Sequence, residues 1–261
     1  MKVNEVNVVW QDTVRKILTD PDFTAAPRGQ EVREILSGQY RVPMPAYLDL
    51  TSRNINLAFM FAEAAWIISG SNRLSDLTPY MKSYANFSDD QVFLRGAYGP
   101  KVVDQLGYVV DTLVADSDSR QAVMTMWRER PAASKDIPCT VSAQFIIRDG
   151  KLNMITTMRS HDIILGFTYD VFTFSMIAAS VRLLLRQRGI RVELGDLFVT
   201  AGSLHLYERH YEQAEEWIQA TQTDPSISKA VNKTLLRVQT YEQLIDSLKN
   251  AADEVNDLRR L

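Results

Sequence analysis

The scarcities of this chain narrow it first. It has one cysteine, Cys139, so no intrachain disulfide framework can hold it together and a hydrophobic core must do so. It has no large excess of either charge: the formal net charge is −3, so no general pull toward nucleic acid or an anionic membrane is expected. Any anion site must be built locally, and no metal is expected. It lacks a membrane-length apolar run of the simple kind, because "INLAFMFAEAAWIISG" is shorter than the ~20 residues of a span and carries Glu63 at its middle. The start, "MKVNEVNVVW", lacks the charged opening and apolar stretch of a secretion signal, so a cytoplasmic protein is expected. Low-complexity blocks, internal repeats and Pro/Gly/Ser linkers are also missing, which argues against a division into two domains.

What remains is enough for a full core: 261 residues of which 46% are hydrophobic. One domain over residues 1–261 is expected, with a helical C-terminal segment from about residue 226. "TVSAQFII" and "KLNMITTM" are strand-like runs whose separating Asp149-Gly150 suits a tight hairpin turn. This hairpin would deliver Arg159 at its exit. From Val171 to Arg188 the apolar spacing is helical, with Arg182, Arg186 and Arg188 in the last turns and Gly189 at the C-cap. "LGDLFVTAGSLHLYERH" reads as a further strand, and Tyr211 onward reads as helical apart from a break at Pro225. Mixed strands and helices without a βαβ rhythm predict an α+β fold.

Three features carry chemistry. Cys139 stands at the mouth of the hairpin. A lone cysteine is as a rule an inert buried small residue, but folding back of the hairpin would bring Arg159 near it and favour the nucleophilic thiolate. Glu63 has Phe59, Met60, Trp66 and Ile67 at its helical neighbour positions. Such a carboxyl is either desolvated for proton transfer near neutral pH or a structural partner of an arginine or helix terminus. Arg28, Arg120 and Arg159 each sit beside small or polar residues at loops or element edges; together they would clamp a phosphate, and apart they are solvated surface.

The order and spacing of "PC" at Pro138-Cys139, "FIIRDGKL", "RSHDIILGFTYD" and "GSLHLYERH" resemble the thymidylate synthase family. Upstream, "PRGQEVREILSG" resembles the family's mobile phosphate loop, "EAAWIISG" its glutamate helix, "RGAYGP" its tyrosine loop and "SDSR" its partner-subunit arginine. The resemblance implies a mixed β-sheet flanked by helices, with one sheet face forming a homodimer interface. It also implies a pyrimidine nucleoside monophosphate substrate and methylenetetrahydrofolate as co-substrate, with no metal and no nucleic acid required. By position, Cys139 would attack C6, Glu63 would run a water network, and Tyr98 would line the catalytic pocket. Arg28, Arg159 and Ser160, with Arg120 from the other subunit, would bind phosphate; His205 and Tyr207 would contact the sugar. Asp162 and Gly166, with Met81 and Tyr84 on the folate wall, would hold the cofactor, and Asp170 would face the base.

Departures from the family pattern refine this. Asp170 stands where a thymidylate synthase has Asn. An amide matches uracil's O4 acceptor and N3–H donor, whereas a carboxylate accepts from cytosine N4 and shares a proton with N3, so Asp170 implies a cytosine nucleotide and a catalytic role. Thr140 follows the nucleophile where synthases carry His, Met81 and Tyr84 replace tryptophans, and the chain stops at "NDLRRL" without the small apolar closing tail. These changes imply water capture of the exocyclic methylene rather than hydride transfer, hence a 5-hydroxymethylase preferring dCMP. Ser160 resembles the residue of the deoxynucleotide enzymes. The alternatives are a CMP hydroxymethylase of nucleoside antibiotic synthesis, a dUMP methylase or hydroxymethylase, and a catalytically silent nucleotide- or RNA-binding homologue. A phage-encoded enzyme would work in the host cytoplasm. Gln121 replaces a second arginine after Arg120, and His161 is expected to be structural.

Overall fold

In the computed structural model, residues 4–129 and 133–258 are described. The "NDLRRL" end runs beyond them at Arg259, and the first three residues of the supposed leader-free start also lie outside. The architecture is a six-stranded sheet in the order β1-β2-β6-β5-β4-β3. Its strands are β1 (Phe23–Ala25), β2 (Val32–Pro43), β3 (Val123–Thr125), β4 (Thr140–Arg148), β5 (Lys151–Asp162) and β6 (Glu193–Tyr207). The helices are α1 (Glu5–Thr19), α2 (Leu57–Ile68), α3 (Gly99–Ala115), α4 (Leu165–Gln187), α5 (Tyr211–Trp217), α6 (Pro225–Leu235) and α7 (Tyr241–Leu258).

The β4–β5 hairpin forms as the sequence predicts, with Asp149 and Gly150 at φ 50° and 70°, a pairing that only glycine and short polar residues adopt cheaply. All neighbouring strands are antiparallel except β5 and β6, which run parallel across the α4 crossover. One βαβ unit is therefore present where none was expected. The sheet is mixed, and the unit sets the site, because β5 ends and α4 begins within a few residues. Two further expectations are corrected here. Most of "PRGQEVREILSG" is strand β2 rather than loop: Val32 pairs with Tyr207 and the register continues to Pro43, leaving a single 3-10 turn at Pro27–Gly29. The helix placed at Val171–Arg188 starts at Leu165, so Asp170 lies inside its opening turns rather than before them.

Helix α2 is buried along its whole length, including Glu63. Each fully buried Phe, Met or Ile contributes roughly 1.5–3 kcal/mol, so Phe59, Met60, Phe61 and Ile68 together outweigh the cost of one desolvated carboxyl. Helix α7 packs along α2, and its Tyr241 hydroxyl donates to the carbonyl of Ile68 at the end of α2. Helix α4 is long and apolar enough to cross a membrane by length and composition, yet 78% of its most apolar window is buried inside the fold. Pro225 opens α6 at its first turn, where its missing N–H costs nothing.

Candidate active site

Cys139 ends the loop before β4 and lies where two cavities meet. A cavity of about 190 Å³ is lined by Glu63, Trp66, Tyr84, Phe87, Tyr98 and Asp170 beside Cys139. A larger one of about 710 Å³ brings Arg28, Arg159, Ser160, His205 and Tyr207 to the same sulfur. Residues scattered from Arg28 to Tyr207 thus converge.

Arg159 is not at the hairpin exit but within β5, which continues to Asp162. Its amide donates to the Cys139 carbonyl at 2.8 Å, its Nε donates to the Pro138 carbonyl, and an Nη2 to Sγ distance of 3.7 Å confirms the expected approach. The consequence for the thiol differs from expectation. Burial raises the Cys139 pKa, Arg159 lowers it, and Asp170 and Asp136 raise it again, so the net displacement is upward. Desolvation of the thiol outweighs the neighbouring guanidinium here, and the two acids add to it.

Glu63 resolves in favour of a perturbed acid. Its pKa is pushed up to about 8, first by burial and then by the charge of Asp170, against a lowering by the hydrogen bond that the Tyr84 hydroxyl donates to Oε1. No arginine pairs with it among the described residues. Tyr84 is thus a hydrogen-bond partner of Glu63 as well as a piece of cavity wall. Tyr98 accepts a hydrogen bond from the Thr140 amide at 3.2 Å, fixing the backbone just after the nucleophile, and burial holds its phenol protonated.

Other expected residues are placed differently. The Asp162 carboxylate accepts from the amides of Ile164 and Leu165 at 2.8 and 3.2 Å, tying the end of β5 to the start of α4. It lines neither cavity, and neither do Met81 and Gly166. A Cβ at Gly166 would stand 3.2 Å from both Asp170 Oδ2 and His161 Nδ1, so the glycine makes room for those two side chains. Arg120 lies after α3, outside both cavities, and its carbonyl accepts from Gln144. His205 is buried, its pKa lowered by desolvation, with the ring edge-on to Tyr207 at 5.1 Å.

Sequence reasoning passed over several residues. Asp136 lines both cavities and accepts from the Gly96 amide at 2.7 Å, which ties the tyrosine loop to the cysteine loop; a lone acid in "SKDIPC" gave no periodic signal. Glu34, on the unpredicted strand β2, lines the larger cavity and accepts from Ser203. Arg53 is largely buried, donates to the Ile164 carbonyl at 3.1 Å and lies over the Trp217 ring at 4.3 Å. His161, expected to be structural, is indeed buried, but its Nδ1 stands 3.3 Å from Asp170 Oδ2.

A half-buried thiol beside an arginine, a carboxyl of raised pKa and a neighbouring open basic cavity can together support nucleophilic addition to an anionic substrate followed by proton transfer. Comparison with known proteins agrees in kind. A family profile described as "Thymidylate synthase" matches residues 9–249. A deoxyuridylate hydroxymethyltransferase of Bacillus phage SP01 is similar, 30% identical over an alignment of 225 residues that covers 78% of this chain. The chain spans 57% of that protein's length.

Proposed function

The chain belongs to the thymidylate synthase family, and from that membership we propose that it is a folate-dependent hydroxymethyltransferase acting on cytidine 5′-monophosphate, dCMP by preference. The observation that carries this reading is the Asp170 carboxylate on the wall of the cavity that also holds Cys139 and Glu63. An acceptor at that place suits the amino edge of cytosine.

In this reading the Cys139 thiolate bonds to C6 and the electron pair displaced from the C5–C6 bond makes C5 nucleophilic. Methylenetetrahydrofolate would supply the one-carbon unit: C5 would bond to that carbon and lose its proton, and the carbon–nitrogen bond to the folate would break, tetrahydrofolate leaving with the electron pair and an exocyclic methylene remaining on C5. Water adds its oxygen to that methylene, the C6–S bond breaks as the electrons return, and no hydride is consumed. Glu63, protonated near neutral pH and held by Tyr84, moves protons to and from the water and the base. Trp66, Tyr84 and Phe87 form an aromatic wall that fits a flat pterin. Asp162, its carboxylate fixed by two amides, and Gly166 are assigned to the folate side by the motif, with Met81 behind the wall. Arg28, Arg159 and Ser160 hold the phosphate, and His205 and Tyr207 the sugar, in the larger cavity. Thr140, with no basic side chain after the nucleophile, and the missing tryptophans agree with water capture.

A homodimer accompanies this function. Arg120 lies outside both cavities of its own chain, so a phosphate role requires a second copy. The sheet face bearing Ile146, Ile155 and Phe198 is only half-buried in one copy, which supports that face as the interface. Sedimentation showing a monomer at working concentration would sink this part.

A second reading, action on dUMP, is favoured by the name of the phage relative. The deciding experiment is a panel of dCMP, CMP, dUMP and UMP with methylenetetrahydrofolate, with mass analysis of the nucleotide and absorbance monitoring for dihydrofolate. Hydroxymethylated cytidylate without dihydrofolate is expected; a preference for uridylate, or a methylated product with dihydrofolate, overturns the corresponding half of the proposal.

A further inference from the structure

We propose that His161, backed by Tyr40, is the positioning residue that holds Asp170 in its base-reading state and so sets the choice between cytosine and uracil. The inference rests on the reading of Asp170 as the group at the base edge. His161 is 1% exposed and sits at the end of β5, while Asp170 lies in the opening turns of α4. The β5-to-α4 junction folds the helix back over the strand, and Nδ1 comes to 3.3 Å from Oδ2 of Asp170. The other ring nitrogen, Nε2, is 2.8 Å from the Tyr40 hydroxyl. Tyr40 comes from β2, and its ring lies 5.8 Å from the imidazole at an interplanar angle of 27°, with Phe167 packed behind it.

The arrangement fixes where the imidazole proton sits. Burial keeps the Tyr40 phenol protonated, and no other acceptor meets its hydroxyl among the described residues, so the hydroxyl donates to Nε2. A nitrogen that accepts carries no hydrogen in the neutral ring, so the proton lies on Nδ1, facing the carboxylate. Nδ1 makes no formed hydrogen bond among the described residues, and the Asp170 carboxylate 3.3 Å away is the acceptor that faces it. Gly166 is the space that permits the pair, since a Cβ there would press on both atoms at 3.2 Å.

One carboxylate oxygen then faces the imidazole N–H from behind, and the other is left toward the cavity as an acceptor. An acceptor suits cytosine's amino group and repels uracil's O4. Without the imidazole N–H, the carboxylate is free to turn, and discrimination against uracil is lost. A histidine that merely fills space would, on removal, weaken folding and slow both nucleotides alike.

The test uses the full-length protein and three substitutions: His161→Leu, His161→Asn and Tyr40→Phe. For each, kcat/KM is measured with dCMP and with dUMP, alongside the thermal midpoint. Leucine removes the donor; asparagine places an amide N–H near the Nδ1 position and needs no help from Tyr40. The cytidylate-to-uridylate ratio should fall about tenfold or more in His161→Leu, as expected for unpairing a buried polar contact, and by a smaller factor in Tyr40→Phe. In His161→Asn it should stay within about threefold of wild type, whatever happens to the midpoint. An unchanged ratio in both His161→Leu and Tyr40→Phe, or a His161→Asn ratio as low as that of leucine, overturns the proposal. If His161→Leu does not fold, the Tyr40→Phe ratio decides alone. A wild-type preference for dUMP would instead overturn the reading of Asp170 as a cytosine acceptor, while the difference between the leucine and asparagine variants would still judge His161.

Discussion

The two cavities that share Cys139 are built from opposite materials. The smaller is walled by helix α2, aromatic rings and buried acids, and its titratable groups are displaced by desolvation: Glu63 upward to about 8, Cys139 and Tyr98 upward as well. The larger is open, lined by Arg28 of the turn before β2 and by Arg159 and Ser160 of β5, which keep contact with water, together with the buried His205 of β6. Under the proposed function, reactivity and affinity would be made in separate places, by exclusion of water in one and by charge in the other. Substitutions in the first should change kcat, and those in the second KM.

The largest effect should come at the point the cavities share. Cys139→Ala should abolish both product formation and tritium release from C5-labelled nucleotide, with nucleotide binding retained by the open cavity. Turnover near the wild-type rate would end the covalent mechanism. In the closed cavity, Glu63→Gln should lower kcat by about two orders of magnitude, as for loss of a general acid/base, with little change in nucleotide affinity. The same variant sharpens the comparison through stability. A carboxyl whose folded pKa is near 8 against 4.5 unfolded favours the folded state only while protonated, so its contribution is intact below pH 4.5 and is lost as pH rises through about 8. Glu63→Gln should therefore match wild type in mild acid and exceed it at pH 7 by about 3 kcal/mol in denaturant melts. Equal pH dependence in the two proteins would show that Glu63 is not desolvated.

For the open cavity, Arg159→Lys should raise the nucleotide KM about tenfold or more, because one ammonium cannot keep both the loop carbonyls and a phosphate. An effect confined to kcat would assign Arg159 to the thiol instead. The smallest expected change is one of choice rather than rate: Asp170→Asn should move the specificity ratio from cytidylate toward uridylate by about tenfold, since a mismatched buried donor or acceptor costs ~1–3 kcal/mol. A ratio unmoved by Asp170→Asn would remove that residue from base recognition.

The same contrast explains what could be read before any coordinates. The closed cavity was legible in part: Glu63 announced itself as one acid within an apolar helix, and Cys139 as the sole thiol. Elements with strong local patterns, such as the Asp149-Gly150 hairpin and helix α4, were placed with errors of a few residues; the start of α4 was missed because Asp162, rather than a residue at the first apolar position, ties up its opening amides. Strand β2 was not legible, since "VREILSGQYRVP" alternates imperfectly and is held by its register with β6 rather than by propensity. Its loss hid Tyr40 and Glu34, and with them the backing of His161. The direction of the Cys139 displacement depends on burial of the thiol and on the acids that face it, Asp170 and Asp136, which no spacing reports.

Helix α2 has a consequence for how the chain is made. All twelve of its residues are buried in the finished protein, and its last turn is pinned by Tyr241, a contact spanning 173 positions. During synthesis the glutamate-bearing helix emerges early; α3 and α4 cover part of it, and the face that α7 occupies stays open until the end of the chain follows. Closing so long a loop is slow, and an apolar helix waiting for its partner is a seed for aggregation. Substitutions that weaken the packing of α7 on α2 should accordingly lower the yield of soluble protein, far along the chain from either cavity.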